Sequence, residues 1–370
     1  MKQPKIAKSP IAVITGGGDA PGLNAAIRAT VVRTITHYQG KIIGISNGFN
    51  GFFSNEPQFH ELSLATVHNL QFLGGTLLGA ASQGSPFKNP QSSKKVMAQF
   101  KKNWAKLRPR GLIVMGGDGT QAMAREISSQ LQIPIVGIPK TIDNDLLGCE
   151  QTLGFSTAVE VASQAAKSIQ CTAHAHRRLM ILEVMGRTSG FLALQAAIAS
   201  GVSGVLIPEH PFDLESLVKK IRGLMASQAA YGVHSRGVVL MVAEGAKPKG
   251  NQYFQKKTPS GEMVLGGIGE WLAQALAVHL GGARSFEMRV TVLGHLQRGA
   301  EPNASDRILG AQLGVEAVDC LFAEKSGFIL CPSATGMTRF SYEKLPDKRR
   351  TLQEGDPLLS VARRLEVLWS

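Results

Sequence analysis

Aromatic residues make up only 6% of this 370-residue chain, and cysteine occurs four times. Scarce aromatics leave no basic stretch interleaved with rings, the pattern that stacks the bases of single-stranded nucleic acid. Cys149, Cys171, Cys320 and Cys331 form no Cys-x-x-Cys pair and no zinc spacing. They are too few for a disulfide framework and suit a reducing compartment. Acidic residues are also short, 27 against 40 Lys and Arg, for a formal charge of +13. Such a balance attracts phosphorylated metabolites as well as polyanions. No block of five or six like charges exists. The densest spots, Lys94-Lys95, Lys101-Lys102 and Lys348-Arg349-Arg350, read as solvated surface. Long apolar runs are missing too. Ile11–Ile14 is far shorter than the roughly 7–15 residues of a secretory segment. The longest uncharged stretch, Phe191–Pro208, is broken by Gln195, serines and glycines. The expectation is a cytoplasmic protein with neither nucleic acid nor membrane as a partner.

What is present is a hydrophobic content of 44%, enough for a real core. At roughly 100–200 residues per domain, two domains are expected. Short apolar runs alternate with helical patterns: Ile11–Ile14 then Leu23–Thr36, Leu112–Met115 then Gln121–Gln130, Ile133–Ile138 then a helix from about Ser156. The second half repeats the theme with Leu179–Val184, Phe191–Ala199, Val205–Pro208, Leu214–Ala226, Val238–Val242 and Trp271–Leu280. Val290–Leu293, Asp306–Leu321 and Phe328–Leu330 follow, then a polar tail, Ser333–Gly355, and a helix, Pro357–Leu368. The apolar runs are too continuous for strands wetted on one face, which predicts mainly parallel sheets covered on both. The fold class is therefore α/β, doubly wound.

Open parallel sheets bind ligands at the carboxyl ends of their strands, so the residues after each run carry the chemistry. The first is Gly16-Gly-Gly-Asp-Ala-Pro-Gly22, a strand-to-helix loop whose N–H groups can approach phosphate. The second, Gly116-Gly-Asp-Gly-Thr120, fits magnesium held beside phosphates. It also matches a weak dinucleotide fingerprint, but the ribose-binding acid expected about 20 residues on is missing. No Walker A sequence occurs. The third, Thr141-Ile-Asp-Asn-Asp145, sets two carboxylates two residues apart, one able to serve as base. The later loops are rich in Arg and His instead: Arg177, Arg178, Arg187, Arg289, His295 and Arg298 suit a sugar phosphate. His174-x-His176 has no partner at metal spacing and reads as structural.

GGGDAPGLNAAIRA, the Gly74-Gly-Thr76 triplet, GGDGT, PKTIDND, LEVMGR, VLGHLQRG and DRILG occur in this order from about Ile11 to Leu321. Together they resemble the 6-phosphofructokinase family, type A, and within it a group carrying a Gly-plus-Lys combination. The resemblance implies two Rossmann-like domains, with the chain crossing between them more than once. Residues 1–155 with 297–345 would bind the donor nucleotide and magnesium, and 156–296 with 346–370 the sugar phosphate. It implies phosphoryl transfer from ATP to the 1-hydroxyl of fructose 6-phosphate, with Asp143 as base beside Thr141 and Arg187, and Asp118 engaging Mg2+. The donor site would comprise Gly18, Ser82, Gln83, Gly117, Asp118, Gly119, Thr120 and Lys140. The sugar-phosphate site would comprise Thr141, Ile142, Asp143, Arg178, Met185, Gly186, Arg187, Glu244, Arg289, His295, Leu296, Gln297 and Arg298. Arg178 and Arg289 would reach a neighbouring subunit's site in a homodimer or homotetramer.

The chain departs from the family pattern at three places. Ser82 stands where an arginine usually bridges the substrates. At the effector-site positions Arg28 matches, but Val32 replaces the second arginine, with Arg33 one residue off. Lys247–Gly261 lengthens the chain as an exposed loop. Pyrophosphate is the alternative donor. Gly119 resembles ATP users, whereas Lys140 resembles pyrophosphate users and is compatible with both. An NAD kinase would leave the sugar-phosphate motifs unexplained, and a catalytically silent regulator is the rival from another class.

Overall fold

The computed structural model describes residues 9–81, 86–230, 237–258, 263–280, 287–346 and 348–370. In chain order they form β1 (Ile11–Thr15), α1 (Leu23–Thr36), β2 (Ile42–Ile45), α2 (Phe49–Phe53), β3 (Phe59–Glu61), α3 (Pro90–Leu107), β4 (Gly111–Gly116), α4 (Asp118–Leu131) and β5 (Ile135–Pro139). Then come α5 (Phe155–His176), β6 (Leu179–Val184), α6 (Phe191–Ser200), β7 (Gly204–Leu206), α7 (Leu214–Ala230), β8 (Val238–Ala243), β9 (Gln255–Lys257), β10 (Met263–Leu265) and α8 (Ile268–His279). The last are β11 (Met288–Val292), α9 (Leu296–Gly299), α10 (Ala304–Phe322), β12 (Phe328–Ser333), β13 (Gly336–Ser341) and α11 (Pro357–Arg364). The chain divides into two compact units, one of residues 1–142, 146–157 and 298–349, the other of 143–145, 158–297 and 350–370.

The first unit is built on a sheet ordered β13-β12-β5-β4-β1-β2-β3, parallel in the middle and antiparallel at both edges. Alternate residues of its central strands serve opposite faces. Ile11, Val13, Ile113 and Met115 cluster with Leu23, Ile27, Leu313 and Val318 of α1 and α10. Ala12, Ile14, Leu112 and Val114 cluster with Phe52, Phe100 and Ile127 of α2, α3 and α4. Both faces are thus covered, which is why the strands read as unbroken apolar runs. The lysine pairs of α3, Lys94-Lys95 and Lys101-Lys102, are exposed while Met97 and Phe100 between them are buried, as an amphipathic helix requires. The α1 and α10 helices touch closely because Gly310 and Gly314 lack side chains. A Cβ on Gly314 would lie 2.6 Å from the Ala26 carbonyl oxygen.

The DRILG segment acts here as a brace. The buried Asp306 carboxylate accepts hydrogen bonds from the Gly154 and Thr157 N–H groups and the Thr157 hydroxyl, at 2.8, 2.7 and 2.6 Å. It therefore satisfies the open N–H groups where α5 begins. Asp306→Asn exchanges one accepting oxygen for a donor facing donors. It is expected to cost about 1–3 kcal/mol of stability, measured by urea unfolding, since a buried unsatisfied group bears its full desolvation penalty. Arg33 is likewise committed within this unit, its guanidinium bonding both oxygens of Asp319 at 2.7 and 3.0 Å.

Cysteine spacing offered no pairing, but the fold supplies one. Cys149 and Cys331, 182 residues apart, are joined as a disulfide within the first unit. It pins the segment after TIDND to β12. Cys171 and Cys320 are free thiols.

The second unit has a parallel sheet, β11-β6-β8-β7, with an antiparallel ribbon of β9 and β10. The segment Lys247–Gly261 is thus partly a hairpin strand rather than a plain loop, although residues 259–261 lie outside the described residues. β11 is half exposed where a fully covered strand was expected, because it forms the sheet edge. The tail likewise holds a strand, β13, whose polar residues suit an exposed edge. The final helix stops at Arg364 rather than Leu368, because Leu368 bridges to Val205 of β7. Among the described residues no helix is long and apolar enough to cross a membrane.

Candidate active site

In the first unit the glycine loops converge at the carboxyl ends of β1, β4 and β5. Gly16 N–H donates to the Met115 carbonyl at 2.9 Å, joining the first two loops. The Thr120 side chain packs against both, and a Cβ on Gly116 would lie 2.4 Å from the Thr120 Cβ. The Gly74–Thr76 segment is held by Asn24. Its amide bonds the Leu73 and Gly74 carbonyls at 3.0 and 3.1 Å, and its oxygen accepts from Leu77 N–H at 2.8 Å. Thr15 Oγ1 meets Thr76 Oγ1 at 3.0 Å. Asn24 and Thr76 therefore shape the cradle.

Lys140 is 3% exposed, and its Nζ donates to the Gly18 carbonyl. A buried ammonium on a glycine loop is placed for an anion. The guanidinium of Arg298 lies against the same Gly18, where a Cβ would come within 2.9 Å of Cζ. Arg298 belongs to the first unit. At Gly119 an added Cβ would meet nothing within 4 Å, so the N-terminus of α4 has open space beside it. Asp118, the first residue of α4, pairs with Arg349. Thr141 is braced from behind, its carbonyl accepting from Thr152 Oγ1 at 2.7 Å. Ile142 is buried. Ser82 and Gln83 lie outside the described residues.

In the second unit the carboxylate of Asp143, itself 3% exposed, stands 3.5 Å from Arg187 Nε. Arg187 has φ 52°, and Asn144 between the two aspartates also has φ 52°. Left-handed backbone at non-glycine residues costs energy and persists where the surroundings enforce it. Glu244 supplies part of that enforcement by accepting the Arg187 N–H at 2.9 Å. The next residue must be glycine, since a Cβ on Gly245 would lie 2.0 Å from the Arg187 carbonyl oxygen. Met185 and Gly186 form the turn from β6 into this loop.

Arg178 and Arg289 share one carboxylate. Arg178 Nε meets Glu287 Oε2 at 2.5 Å, and Arg289 Nη2 meets Glu287 Oε1. Gln297 is buried, with its amide on the Gly294 carbonyl at 2.9 Å, whereas His295 on the turn after β11 and Leu296 at the start of α9 are exposed. Glu287 and Asn24 escaped the sequence reading, although Glu287 directly precedes β11 between arginines. Glu209 escaped it too. It joins Gly190 N–H to Leu352 N–H, and burial pushes its carboxyl above the usual range.

Among the described residues no three His, Cys, Asp or Glu side chains gather as a metal cage. Magnesium needs no such cage, because it binds through one or two carboxylates together with substrate phosphates and water. Asp118, its carboxylate 35% exposed beside the glycine loops, fits that requirement.

A glycine-lined strand end with a buried ammonium is chemistry for phosphate, and the class is that of phosphoryl-handling α/β proteins. The particular family follows from comparison. Residues 10–321 match the phosphofructokinase family model, and the chain belongs to that family. It is 35% identical to the ATP-dependent 6-phosphofructokinase 2 of Clostridium perfringens over 368 residues, covering 96% of this chain and 97% of that one. It is 36% identical to a pyrophosphate–fructose 6-phosphate 1-phosphotransferase of Amycolatopsis methanolica, covering 92% and 96%. Among solved structures it resembles the T-state phosphofructokinase of Pichia pastoris, with TM-score 0.77 and 28% identity over 97% of this chain. The chain spans 36% of that longer protein.

Proposed function

We propose that this phosphofructokinase moves the terminal phosphoryl group of ATP to the 1-hydroxyl of fructose 6-phosphate in the cytoplasm. The products are fructose 1,6-bisphosphate and ADP. The observation that carries the reading is Asp143, a buried carboxylate paired with Arg187 in the loop after β5. In its carboxylate form it would take the proton from the attacking hydroxyl, and Arg187 would hold it in position and balance its charge. The first unit would take the donor. Its glycine-loop N–H groups and the Lys140 ammonium would face the phosphates, with Thr120 packing the loops together. Bound magnesium would supply charge neutralisation on the phosphoryl oxygens, with Asp118 as its protein ligand. The second unit would take the sugar phosphate through Glu244, His295 and the MGR loop.

ATP is favoured over pyrophosphate by the open space at Gly119. Pyrophosphate stays the second reading because Lys140 suits it and because relatives of both names match this chain. Arg178 and Arg289, held as a pair on Glu287, would reach a sugar phosphate bound to a neighbouring copy in a homodimer or homotetramer. Mixing Arg289→Ala subunits with Asp143→Asn subunits should then restore activity, because one site in the hybrid regains both intact residues. A verified hetero-oligomer without recovered turnover would show that each site is built within one chain.

A further inference from the structure

The Lys348-Arg349-Arg350 cluster has no part in the reaction as described above, yet it is not idle surface. Arg349 Nε donates to Asp118 Oδ2 at 2.7 Å, and each side chain is 35% exposed. A cation therefore stands on the carboxylate that the donor's metal would use. The neighbouring residue is anchored. Arg350 lays its guanidinium over the Phe191 ring at 4.4 Å, and its N–H donates to the Asp145 carbonyl at 2.8 Å.

We propose that Arg349 is a donor-binding residue. Without donor its guanidinium neutralises Asp118; when a divalent cation takes that carboxylate, the guanidinium turns to the donor's phosphate oxygens. Two features favour this over a fixed structural pair. The contact is partly exposed, so solvent screens it and little free energy opposes its opening. A guanidinium also matches phosphate geometry with two N–H donors. The ligand is a metal polyphosphate, whether a nucleoside triphosphate or pyrophosphate.

This inference rests on the donor assignment above, so its test is read by binding, which needs no turnover. The full-length protein and its Arg349→Ala and Arg349→Lys variants are titrated with Mn2+ alone, followed by water-proton relaxation. Equilibrium dialysis then measures labelled ATP and labelled pyrophosphate in the presence of Mg2+. In Arg349→Ala, Mn2+ should bind the donor-free protein several-fold more tightly, because the Arg349 guanidinium no longer competes for the Asp118 carboxylate. At least one donor should bind about 10–100-fold more weakly, as for loss of a charged hydrogen bond, and Arg349→Lys should recover part of this. The donor that weakens identifies the source of the phosphate. Unchanged Mn2+ affinity, or unchanged binding of both donors, would overturn the proposal and leave Arg349 as a brace for α4. Turnover by the wild type with neither donor would sink the functional reading alone.

Discussion

Asp143→Asn is expected to lower kcat by about 10²–10⁴-fold while leaving the KM values and the melting temperature near those of the wild type. The amide keeps the shape of the carboxylate and can still accept a bond from Arg187 Nε, which stands 3.5 Å away. What it loses is the capacity to take a proton. The change is thus confined to the step in which the sugar hydroxyl is deprotonated. Arg187→Ala should behave differently. It removes the partner of a nearly buried charge and a side chain projecting from a constrained loop, so sugar-phosphate KM should rise together with the fall in kcat. Steady-state kinetics with both substrates varied, beside a thermal melt, separates the two patterns. A near-normal kcat in Asp143→Asn would remove this residue from the role of base.

Gly119→Asp is expected to depress ATP-dependent turnover selectively. An added Cβ at Gly119 meets nothing within 4 Å, so the carboxylate fits without displacing the protein. Position 119 lies in the first turn of α4, where a negative charge is favourable for the helix by a few tenths of a kcal/mol. Stability should therefore hold or rise slightly. The same charge would face the α-phosphate of ATP. At about 5 Å and an effective dielectric near 20, like charges repel by about 3 kcal/mol, or roughly 10²-fold in kcat/KM. Binding of pyrophosphate, which has no α-phosphate linked to a nucleoside, should be less affected than binding of ATP. An equal loss of binding for both, measured by equilibrium dialysis, would show that residue 119 does not set donor choice.

Much of this is legible in the sequence. Continuous apolar runs such as Ile11–Ile14 and Val238–Val242 indicated parallel strands, because strands covered on both faces need no polar alternation. The strand-end rule then led to Gly116–Thr120 and Thr141–Asp145 without further input. Short edge elements were not legible. β3 is three residues long and β13 is an exposed polar edge strand, so neither carries the apolar signal of a central strand; β2, an inner strand reading Ile-Ile-Gly-Ile, is apolar but only four residues long. α3 was obscured by its lysines, although Met97 and Phe100 lie on one helical face. Contacts across long sequence separations were the least accessible. Asp118 with Arg349, Asn24 with the Gly74 loop, and Cys149 with Cys331 depend on which strand ends are neighbours, and local pattern does not encode that. Glu287 illustrates the limit differently. Arg178 directly precedes β6 and Arg289 lies within β11, and only the parallel pairing of those strands brings both onto one carboxylate.

The most direct test of the account is a donor panel with the unmodified protein. Fructose 6-phosphate and Mg2+ are held fixed, ATP and pyrophosphate are supplied separately, and fructose 1,6-bisphosphate is measured through aldolase cleavage. The account predicts turnover with ATP and none with pyrophosphate; robust turnover with pyrophosphate and none with ATP would contradict it and pass control of the donor from Gly119 to Lys140.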